Sequence, residues 1–505
     1  MDPRLRKDDN EIMLKLWNSL TRTREAIGPI NPGEVRMYSC GPTVYSMPHI
    51  GNFRSYVTWD ILRRVLVANG FKVVHCMNIT DVGHLVGDGD EGQDKLQMSA
   101  DKEGISAWDI AKRYEKIFVD YAKVLNIKLP DSPLLCRATD HIEEQIKLIQ
   151  LLEEKGFTYK TSDGIYFDTA KFPDYGKLSG QPLDEKLEGA RVDVNKEKRQ
   201  ATDFALWKFS YPNGVLRQEF LDSRIRKNDK GDVGRGTTGT SDEVPQRHME
   251  WESPWGVGFP GWHVECSAMS HKYLGQPFDI HTGGVDHIPV HHENEIAQSM
   301  AAYNVPLANF WVHNDFMRVE GQKMSKSLGN VYTLDDCKAK GIEPLAIRYF
   351  FLGAHYRSKL NFTWEAAQAA QNALNNLREF SRELAIPTDQ NPHESFNDEF
   401  MSELNDDLNT PAALAVVWNL VKSDVESSVK ASTLLAWDKI LGLDLDKYIA
   451  KPVEIPEHVK QIAQRRWEAR SRQDWPAADQ LRNELDSLGW NMEDGAAEFK
   501  LKPKV

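Results

Sequence analysis

Apolar positions near the N-terminus follow two different periods, and together they predict a strand–helix–strand unit. Residues 34–45 are rich in β-forming side chains and predict a strand that ends in a turn. Val57, Ile61 and Val65 recur at helical spacing in the next segment, and residues 71–80 predict a second strand. A βαβ unit of this kind implies a parallel sheet with ligand chemistry at the carboxyl ends of its strands.

Further along the chain, the pattern separates a region that bears strands from a helical region. Strand signals return at 278–284 and 310–319, and helical periodicity follows at 366–385 and 411–425. Two prolines then mark a linker before a last helix at 459–473. The predicted fold class is α/β, with a Rossmann-type parallel-sheet catalytic domain at 1–343, an α-helical domain at 344–450 and a small C-terminal module at 451–505.

One segment of the first domain, residues 221–248, differs from its surroundings in composition. It is rich in Gly, Asp and Arg, poor in aromatic residues and without periodicity, so we expect a flexible insertion. A basic arm that binds nucleic acid is the alternative. The near balance of acids and bases in the segment disfavours that alternative.

Composition and charge place the chain among soluble globular proteins of the cytoplasm. It has 505 residues, of which 41% are hydrophobic and 27% charged. We find no run near the roughly 18 apolar residues that a membrane span needs and no signal peptide. Five cysteines at irregular spacing argue against a disulfide framework and for a reducing compartment.

The net charge of −13 does not by itself suggest a nucleic-acid partner, although a local basic surface is enough for phosphate contacts. Arg465, Arg466, Arg470 and Arg472 could form such a surface near the C-terminus. A solvated helix face explains the same four residues equally well.

Two short strings predict a site for a nucleoside triphosphate. KMSKS supplies Lys323 and Lys326, and a mobile loop with two ammonium groups can close over a triphosphate and stabilise the leaving pyrophosphate. PHIGN supplies His49 and Asn52, which can donate hydrogen bonds to an α-phosphate, and Gly51, against which a base or ribose can lie. The alternatives are a loop with two solvated lysines and a buried histidine with ordinary partners.

A third constellation predicts a metal site. His291 and Glu295 are four residues apart and therefore share one side of a helix turn. With the thiols of Cys40 and Cys266 they would make a donor set that suits zinc. His287, His292 and Glu293 are competing ligands that spacing alone does not exclude. The other cysteines, Cys76, Cys136 and Cys337, are interpreted as small buried apolar residues.

Longer motifs resemble a known family, the cysteinyl-tRNA synthetases of class I. The main ones are MYSCGPTVYSMPHIGN at 37–52, GWHVECSAMS at 261–270, FDIHTGGVDHIPVHHENEIAQS at 278–299 and KMSKSLGN at 323–330. Shorter similarities are GARVDV at 189–194, DFALWK at 203–208, HYRSKLNFT at 355–363 and DDLNTPAAL at 406–414. The sequence departs from the family in Asn52, where the class usually has His, and in the segment 81–92.

The resemblance assigns roles to individual residues. It implies zinc ligation by Cys40, Cys266, His291 and Glu295, a cysteine pocket with Trp262 and His281, and ATP contacts by His49, Gly51, Asn52 and Lys326. It also implies that the helical domain binds the anticodon and that the C-terminal module contacts tRNA.

The function implied is that of a cysteine–tRNA ligase with one Zn²⁺ per chain and Mg²⁺ bound with ATP. The enzyme would convert L-cysteine and ATP to cysteinyl-adenylate and transfer cysteine to the 3′ end of cysteine tRNA. Zinc would select the substrate thiol, which binds it far better than a hydroxyl. We expect a monomer without membrane contact. The alternatives are a ligase that joins cysteine to an amino sugar in thiol biosynthesis, and a silent paralogue that only binds RNA.

Overall fold

The computed structural model describes residues 13–83, 94–180, 196–211, 247–387, 391–495 and 498–503. The described strands are β1 Lys15–Asn18, β2 Thr23–Ala26, β3 Glu34–Ser39, β4 Lys72–Ile79, β5 Leu135–Arg137, β6 Thr158–Lys160, β7 Gly164–Phe167, β8 Phe204–Phe209, β9 Gly258–Pro260, β10 Phe278–Gly284, β11 Ala308–Asn314, β12 Met317–Val319, β13 Gln322–Lys323, β14 Leu360–Phe362, β15 Trp490–Asp494 and β16 Phe499–Pro503. Residues 221–246 of the predicted insertion, the motif at 189–194 and most of the segment 81–92 lie outside the described residues.

The described α-helices, numbered in the same way, alternate with these strands in the first part of the chain and dominate the second. They are α1 Ile50–Ala68, α2 Lys95–Glu103, α3 Ala107–Val124, α4 Ile142–Glu154, α5 Trp262–Leu274, α6 His291–Tyr303, α7 Leu334–Ala339, α8 Pro344–Leu352, α9 Trp364–Arg382, α10 Glu394–Asn405, α11 Thr410–Lys422, α12 Ser427–Leu441, α13 Glu457–Ser471 and α14 Trp475–Ser487. None of these described helices is both long and apolar enough to cross a membrane.

A five-stranded parallel sheet organises the catalytic region, in the order β11-β10-β3-β4-β5. The chain builds β3, β4 and β5 outward in one direction and then returns to add β10 and β11 on the other side of β3. Tyr38 pairs with His281 and Ser39 with Thr282 where β3 meets β10. The strand order reverses at this pair, which is where open α/β sheets form their ligand sites.

The helix α1 connects β3 to β4 and completes the predicted βαβ unit. Val57, Ile61 and Val65, the positions whose spacing predicted it, are all buried against the sheet. The helix ends at Ala68, and the chain then turns through Gly70, whose φ of +85° is a left-handed conformation that favours glycine. The α/β pattern predicted from apolar spacing is therefore present.

The segment 310–319, predicted as one strand, forms two. β11 ends at Asn314 and β12 begins at Met317, and between them the Asp315 side chain accepts a hydrogen bond from the Phe316 N–H. β12 then joins a separate sheet of order β13-β12-β14. The break directs the chain from the central sheet towards the KMSKS loop.

A second, antiparallel sheet of order β6-β7-β8-β9 precedes α5. Its first two strands, β6 and β7, form an antiparallel hairpin. Apolar side chains of this sheet pack with α4, α5 and α6 in one buried cluster that includes Phe167, Leu206 and Trp207. The cluster supports α5 and α6, the two helices that carry predicted metal ligands.

The chain divides into two compact units. The first comprises residues 1–367 and 398–416, and the second comprises 368–397 and 417–505. The three-domain boundaries drawn from the sequence stay a prediction.

In the second unit, α13 and α14 pack on the β15–β16 hairpin around a small apolar cluster that contains Ile462 and Leu485. Arg466 is buried there and donates two hydrogen bonds to the Asp494 carboxylate, at 2.7 and 3.1 Å, and Arg470 pairs with the same carboxylate. Two of the four arginines considered as a basic surface are thus engaged in an internal ion pair.

Candidate active site and metal centre

The PHIGN turn forms the N-terminus of α1 at the carboxyl end of β3. His49 is the N-cap residue: its Nδ1 accepts a hydrogen bond from the Asn52 N–H, and its own N–H donates to Asn52 Oδ1 at 3.1 Å. This reciprocal capping box fixes both side chains and leaves the Asn52 amide nitrogen as the donor that it can offer to a ligand. Asn52 thus caps the helix, and its contact with a phosphate stays a prediction.

Gly51 lies where the two signature motifs meet. A side-chain carbon at this position would come within 3.2 Å of the Met324 sulfur and within 3.1 Å of His49 Nδ1. The absence of a side chain therefore lets the KMSKS loop approach the helix N-terminus closely. The two strings, more than 270 residues apart in sequence, form one wall of the same site.

The KMSKS loop is held by Asn330, a residue that the sequence analysis did not single out. Its Oδ1 accepts a hydrogen bond from the Ser325 N–H at 2.8 Å, and its Nδ2 donates to the Lys323 carbonyl at 3.0 Å. Lys323 lies exposed at the end of β13. Lys326 begins a short 3-10 turn, and its side chain lies outside the described part of the structure.

Both motifs line a cavity of about 770 Å³ at the carboxyl ends of β3 and β10. Its lining includes His49, Asn52 and Lys323 from the two motifs, and also Cys40 and Trp262. The volume is within the usual range for a site that holds a small molecule or cofactor. The cavity therefore brings together the predicted triphosphate-binding residues and one of the predicted metal ligands.

The four predicted metal ligands converge beneath this cavity. The thiols of Cys40 and Cys266, an imidazole nitrogen of His291 and a carboxylate oxygen of Glu295 all lie within 4.8 Å of one another. Cys40 directly follows β3, Cys266 lies in α5, and the other two occupy the first turns of α6. All four are buried, with Cys40, at 7% exposure, the one that reaches the cavity.

In this group of possible ligands, the acidic side chains lie next to imidazoles that stabilise their anionic forms. Burial opposes ionisation of Glu295, but His281 and His291 outweigh it and lower the pKa of Glu295 to about 2. Burial lowers the pKa of His291, but Glu295 raises it, and the net result is a pKa of about 10. The two side chains are close, with His291 Nε2 2.6 Å from Glu295 Oε1. Burial likewise raises the pKa of the Cys40 thiol, yet hydrogen bonding to Cys266 and the nearby imidazoles bring it well below its usual range. The site therefore favours anionic oxygen and sulfur.

A second set of possible ligands overlaps the first, since Cys40, His281, His292 and Glu295 also lie within the same mutual distance. His292 Nε2 is 3.3 Å from the Cys40 sulfur, and its Nδ1 is 2.8 Å from His313 Nε2. Geometry therefore keeps His292 as a competitor of His291, as the sequence spacing did.

Glu293, another competitor considered from the sequence, binds backbone instead. Its carboxylate accepts hydrogen bonds from the N–H groups of Gly176 and Ser179, at 2.8 and 3.0 Å. These bonds tie α6 to the segment before residue 181. Within the described structure Glu293 belongs to neither group of possible ligands.

The two residues predicted for the cysteine pocket occupy different environments. Trp262 is half-buried, lines the cavity and stacks on His291 with ring centroids 4.2 Å apart. His281 is fully buried, and its Nε2 lies 2.6 Å from Glu295 Oε2. Its ring contacts Glu295 and Trp311 and is absent from the described lining of the cavity.

Arg54 is a further residue that periodicity could not reveal. It is 2% exposed in α1, two residues beyond Asn52, and its guanidinium donates to the carbonyls of Asp315, Phe316, His355, Tyr356 and Ser358. These carbonyls belong to the loop after β11 and to the chain that leads into β14. Arg54 thus joins the helix of the first signature motif to the segment that contributes Asp315 and Phe316 to the cavity lining.

Comparison with known proteins agrees with this arrangement. Residues 26–220 and 226–372 match the family described as the class I (C) tRNA synthetase catalytic domain, and residues 399–446 match the DALR domain. A solved structure with a similar fold is Mycobacterium tuberculosis methionyl-tRNA synthetase in complex with methionyl-adenylate, at a TM-score of 0.52 and 16% identity. It covers 82% of this chain and 93% of its own. The fold and the two signature motifs therefore define a class I tRNA synthetase.

Curated relatives show to which family of class I tRNA synthetases the chain belongs. A cysteine–tRNA ligase of Burkholderia lata is 47% identical over 482 residues, 95% of each chain, and one of Treponema denticola is 38% identical over 521 residues, 97% of this chain and 99% of its own. The chain therefore belongs to the cysteine–tRNA ligases, which confirms the family, the ligase function and the α/β fold class predicted from the sequence. These relatives lend no support to an amino-sugar ligase or a silent paralogue.

Proposed function

We propose that this chain activates L-cysteine with ATP and transfers it to the 3′ end of cysteine tRNA, with zinc as the selector of the substrate thiol. The observation that supports the proposal best is the buried Cys–Cys–His–Glu group, which reaches the ATP-sized cavity through Cys40. An amino acid with a thiol side chain and a triphosphate could thus occupy one cavity.

The donor atoms of this group fit zinc in kind and in spacing. In a tetrahedral zinc site with bonds of about 2.0–2.3 Å, ligand atoms lie about 3.3–3.8 Å apart. Two thiols, an imidazole and a carboxylate within 4.8 Å of one another need only small shifts to reach that geometry. Zinc bound by Cys40, Cys266, His291 and Glu295 would act as a Lewis acid that accepts a thiolate as an added ligand.

The protein's own residues would provide positioning and electrostatic stabilisation. The Asn52 amide and the His49 imidazole lie at the N-terminus of α1, where the helix dipole also favours a phosphate. Lys323 and Lys326 would balance the charge that develops on pyrophosphate, which leaves together with its Mg²⁺ as the substrate carboxylate attacks the α-phosphate. Trp262 would close the amino-acid side of the cavity and hold the His291 ring by stacking.

This arrangement would also explain discrimination against serine. Apolar pockets distinguish such close analogues by only about 1–3 kcal/mol. A serine hydroxyl does not ionise near neutral pH, whereas a thiol does so readily beside a metal. We therefore expect no hydrolytic editing domain.

A cysteine substitution tests the metal centre. Cys266→Ala should remove bound zinc and nearly abolish cysteine-dependent ATP–pyrophosphate exchange, because one of two thiolate ligands is lost. Cys337→Ala is the matched control, since Cys337 is equally buried but lies in α7 outside both possible ligand groups. Metal analysis of the purified proteins should find zinc in the control and not in Cys266→Ala. Full exchange activity without zinc would contradict the proposal.

The two overlapping ligand sets can be separated by their histidines. His291→Ala should lose zinc, whereas His292→Ala should retain it at reduced affinity, because His292 supports Cys40 through a hydrogen bond. The reverse result would assign the site to the set that contains His281 and His292. X-ray absorption of the zinc-loaded protein would report the number of sulfur ligands, two in the first set and one in the second.

The transfer step separates the proposed enzyme from the two alternatives. Charging of purified cysteine tRNA after successful exchange is the expected result, and the match to the DALR domain supports tRNA binding by the helical region. Exchange without charging would favour the amino-sugar ligase, and failure of both would favour the silent paralogue. A monomeric state, a cytoplasmic location, anticodon binding by 344–450 and tRNA contact by 451–505 stay predictions.

A further inference from the structure

The small sheet β13-β12-β14 presents a basic surface at the entrance of the cavity. Arg318 in β12 and Lys323 in β13 are directly paired in the antiparallel register, and both are exposed. Lys359 directly precedes β14. The first residue of that strand, Leu360, pairs with Met317 in β12. Because side chains alternate along a strand, Phe316 and Lys359 face the same side as Arg318. Phe316, Arg318, Lys323 and Lys359 are called the basic platform below.

The apolar side of the same sheet explains why these four residues point outward. Met317 and Val319 in β12 and Leu360 and Phe362 in β14 are buried, so the alternate positions face solvent. Phe316 nevertheless keeps 50% of its surface exposed, which is unusual for a phenylalanine beside a ligand cavity. The outer face therefore combines three cations with an accessible aromatic ring.

The platform carries charge that the described structure does not neutralise. Among the described residues, no carboxylate lies within ion-pair distance of Arg318, Lys323 or Lys359. Like charges directly opposite each other in a sheet are destabilising. Glu320, the acid nearest to Arg318 in sequence, makes no ion pair within the described residues. The carboxylate of Asp315 accepts a hydrogen bond from the Phe316 N–H. An anionic ligand at this face would relieve the repulsion between Arg318 and Lys323.

All four platform residues line the cavity that contains both signature motifs. A ligand on the platform would therefore extend directly to the site where the adenylate is expected. The chain as a whole carries a net charge of −13 and repels polyanions at long range, so a nucleic acid needs local cations at its point of entry.

We propose that the basic platform binds the single-stranded 3′ end of the tRNA, with Arg318 and Lys359 on backbone phosphates and Phe316 stacked on a base. This inference rests on the proposed function, which requires a tRNA end in the cavity. Cations beside an exposed aromatic ring are the combination that single-stranded nucleic acids use, because each nucleotide offers a phosphate and a π-face. A triphosphate in the cavity already has Lys323 and Lys326 as counter-charges, which leaves Arg318 and Lys359 for a second anion.

The test compares charging of cysteine tRNA with ATP–pyrophosphate exchange in full-length Arg318→Gln, Lys359→Gln and the double variant. Lys323 stays unchanged because it already has a role with pyrophosphate.

Each lost phosphate contact should reduce the slope of log KM for tRNA against log salt by about 0.7. Between 50 and 200 mM salt, the tRNA affinity should thus fall about 2.5-fold less in each single variant and about 7-fold less in the double variant. Phe316→Ala should raise the KM for tRNA by roughly fivefold or more.

Matched controls separate this role from a loss of net charge. Lys128→Gln removes one exposed positive charge on the chain that precedes β5, outside the described lining of the cavity, and should keep the wild-type salt slope. Arg318→Lys and Phe316→Tyr should restore most of the tRNA affinity, which a merely structural defect would not predict.

The outcomes distinguish the platform from the function on which it rests. Wild-type protein that does not charge tRNA would contradict the proposed function and the platform together. Wild-type charging with an unchanged salt slope in the double variant would overturn the platform alone. Equal losses in exchange and charging would assign Arg318 and Lys359 to the phosphates of ATP and overturn the RNA assignment.

Discussion

Replacement of Arg54 by methionine tests how the first signature helix is held in place. The Arg54 guanidinium is buried, and it donates to Asp315 and Phe316 carbonyls at 2.8 Å each and to carbonyls of the 355–358 segment. Burial lowers the pKa of Arg54 to about 10, so the side chain remains charged at neutral pH. Methionine has a similar length but no donor, and it would leave up to five carbonyls without this partner.

The expected loss of stability follows from the number of bonds. A hydrogen bond to a charged group contributes about 1.5–3 kcal/mol, but the carbonyls near the cavity can recruit water once Arg54 is gone. We therefore expect Arg54→Met to lower the free energy of unfolding by about 3–5 kcal/mol, which corresponds to roughly two such bonds that water does not replace. Arg54→Lys keeps the charge and three donors, and should lose about half as much.

ATP binding should weaken together with stability, because the Arg54 hydrogen bonds also fix the cavity wall. Release of the loop at Asp315 and Phe316 should raise the KM for ATP in the exchange reaction by about 10- to 100-fold. Urea unfolding followed by tryptophan fluorescence gives the stability, and Arg113→Met, which breaks an exposed ion pair with Glu103, is the control. If the free energy of unfolding of Arg54→Met lies within about 0.5 kcal/mol of the wild-type value and ATP binding is normal, the Arg54 hydrogen bonds have no energetic role.

Two further substitutions address the KMSKS loop and a buried carboxyl group. Asn330→Ala removes both side-chain bonds that hold the loop, so kcat for exchange should fall about tenfold, and unchanged steady-state kinetics would contradict that role. Asp81 is buried, and burial raises its pKa to about 6 from 3.8, although Thr139 donates two hydrogen bonds to it. The stability that protonated Asp81 provides is fully present below about pH 4 and is lost as pH rises from there to 6, by about 3 kcal/mol in total. Asp81→Asn should lose this pH dependence in urea unfolding, and identical profiles for the two proteins would show that Asp81 titrates normally.

Local sequence patterns were sufficient for the parts of this fold that depend on neighbouring residues. Periodicity predicted β3, α1 and β4 because the buried positions of each element repeat at its own period. The exact spans were less predictable. Residues 310–319 divide into two strands, and the Phe316 N–H between them bonds to the Asp315 side chain, a local contact that does not show in the apolar spacing. Short motifs predicted the PHIGN turn and the KMSKS loop for the same local reason.

Contacts between residues far apart in the chain could not be predicted from local sequence patterns. Arg54 has an ordinary position in a helical pattern, and its acceptors lie more than 260 residues away. His291 and His292 are adjacent and almost equally buried, so spacing could not choose between them, and the structure still offers both as metal ligands. Only the resemblance to a known family gave a preference for His291.

The HHENE string shows why a polar run can be the strongest sign of a site. All five side chains at 291–295 are buried, although they begin a helix that an amphipathic pattern would turn partly towards solvent. Each has a polar partner: His291 pairs with Glu295, His292 contacts Cys40 and His313, Glu293 accepts backbone N–H groups, and Asn294 accepts from Tyr175. Burial of so many polar groups costs several kcal/mol unless their bonds compensate it. Apolar residues at 291–295 would stabilise the fold at least as well as these buried polar ones. We therefore explain the polar run by a functional need, a charged and preorganised set of donor atoms beside the cavity.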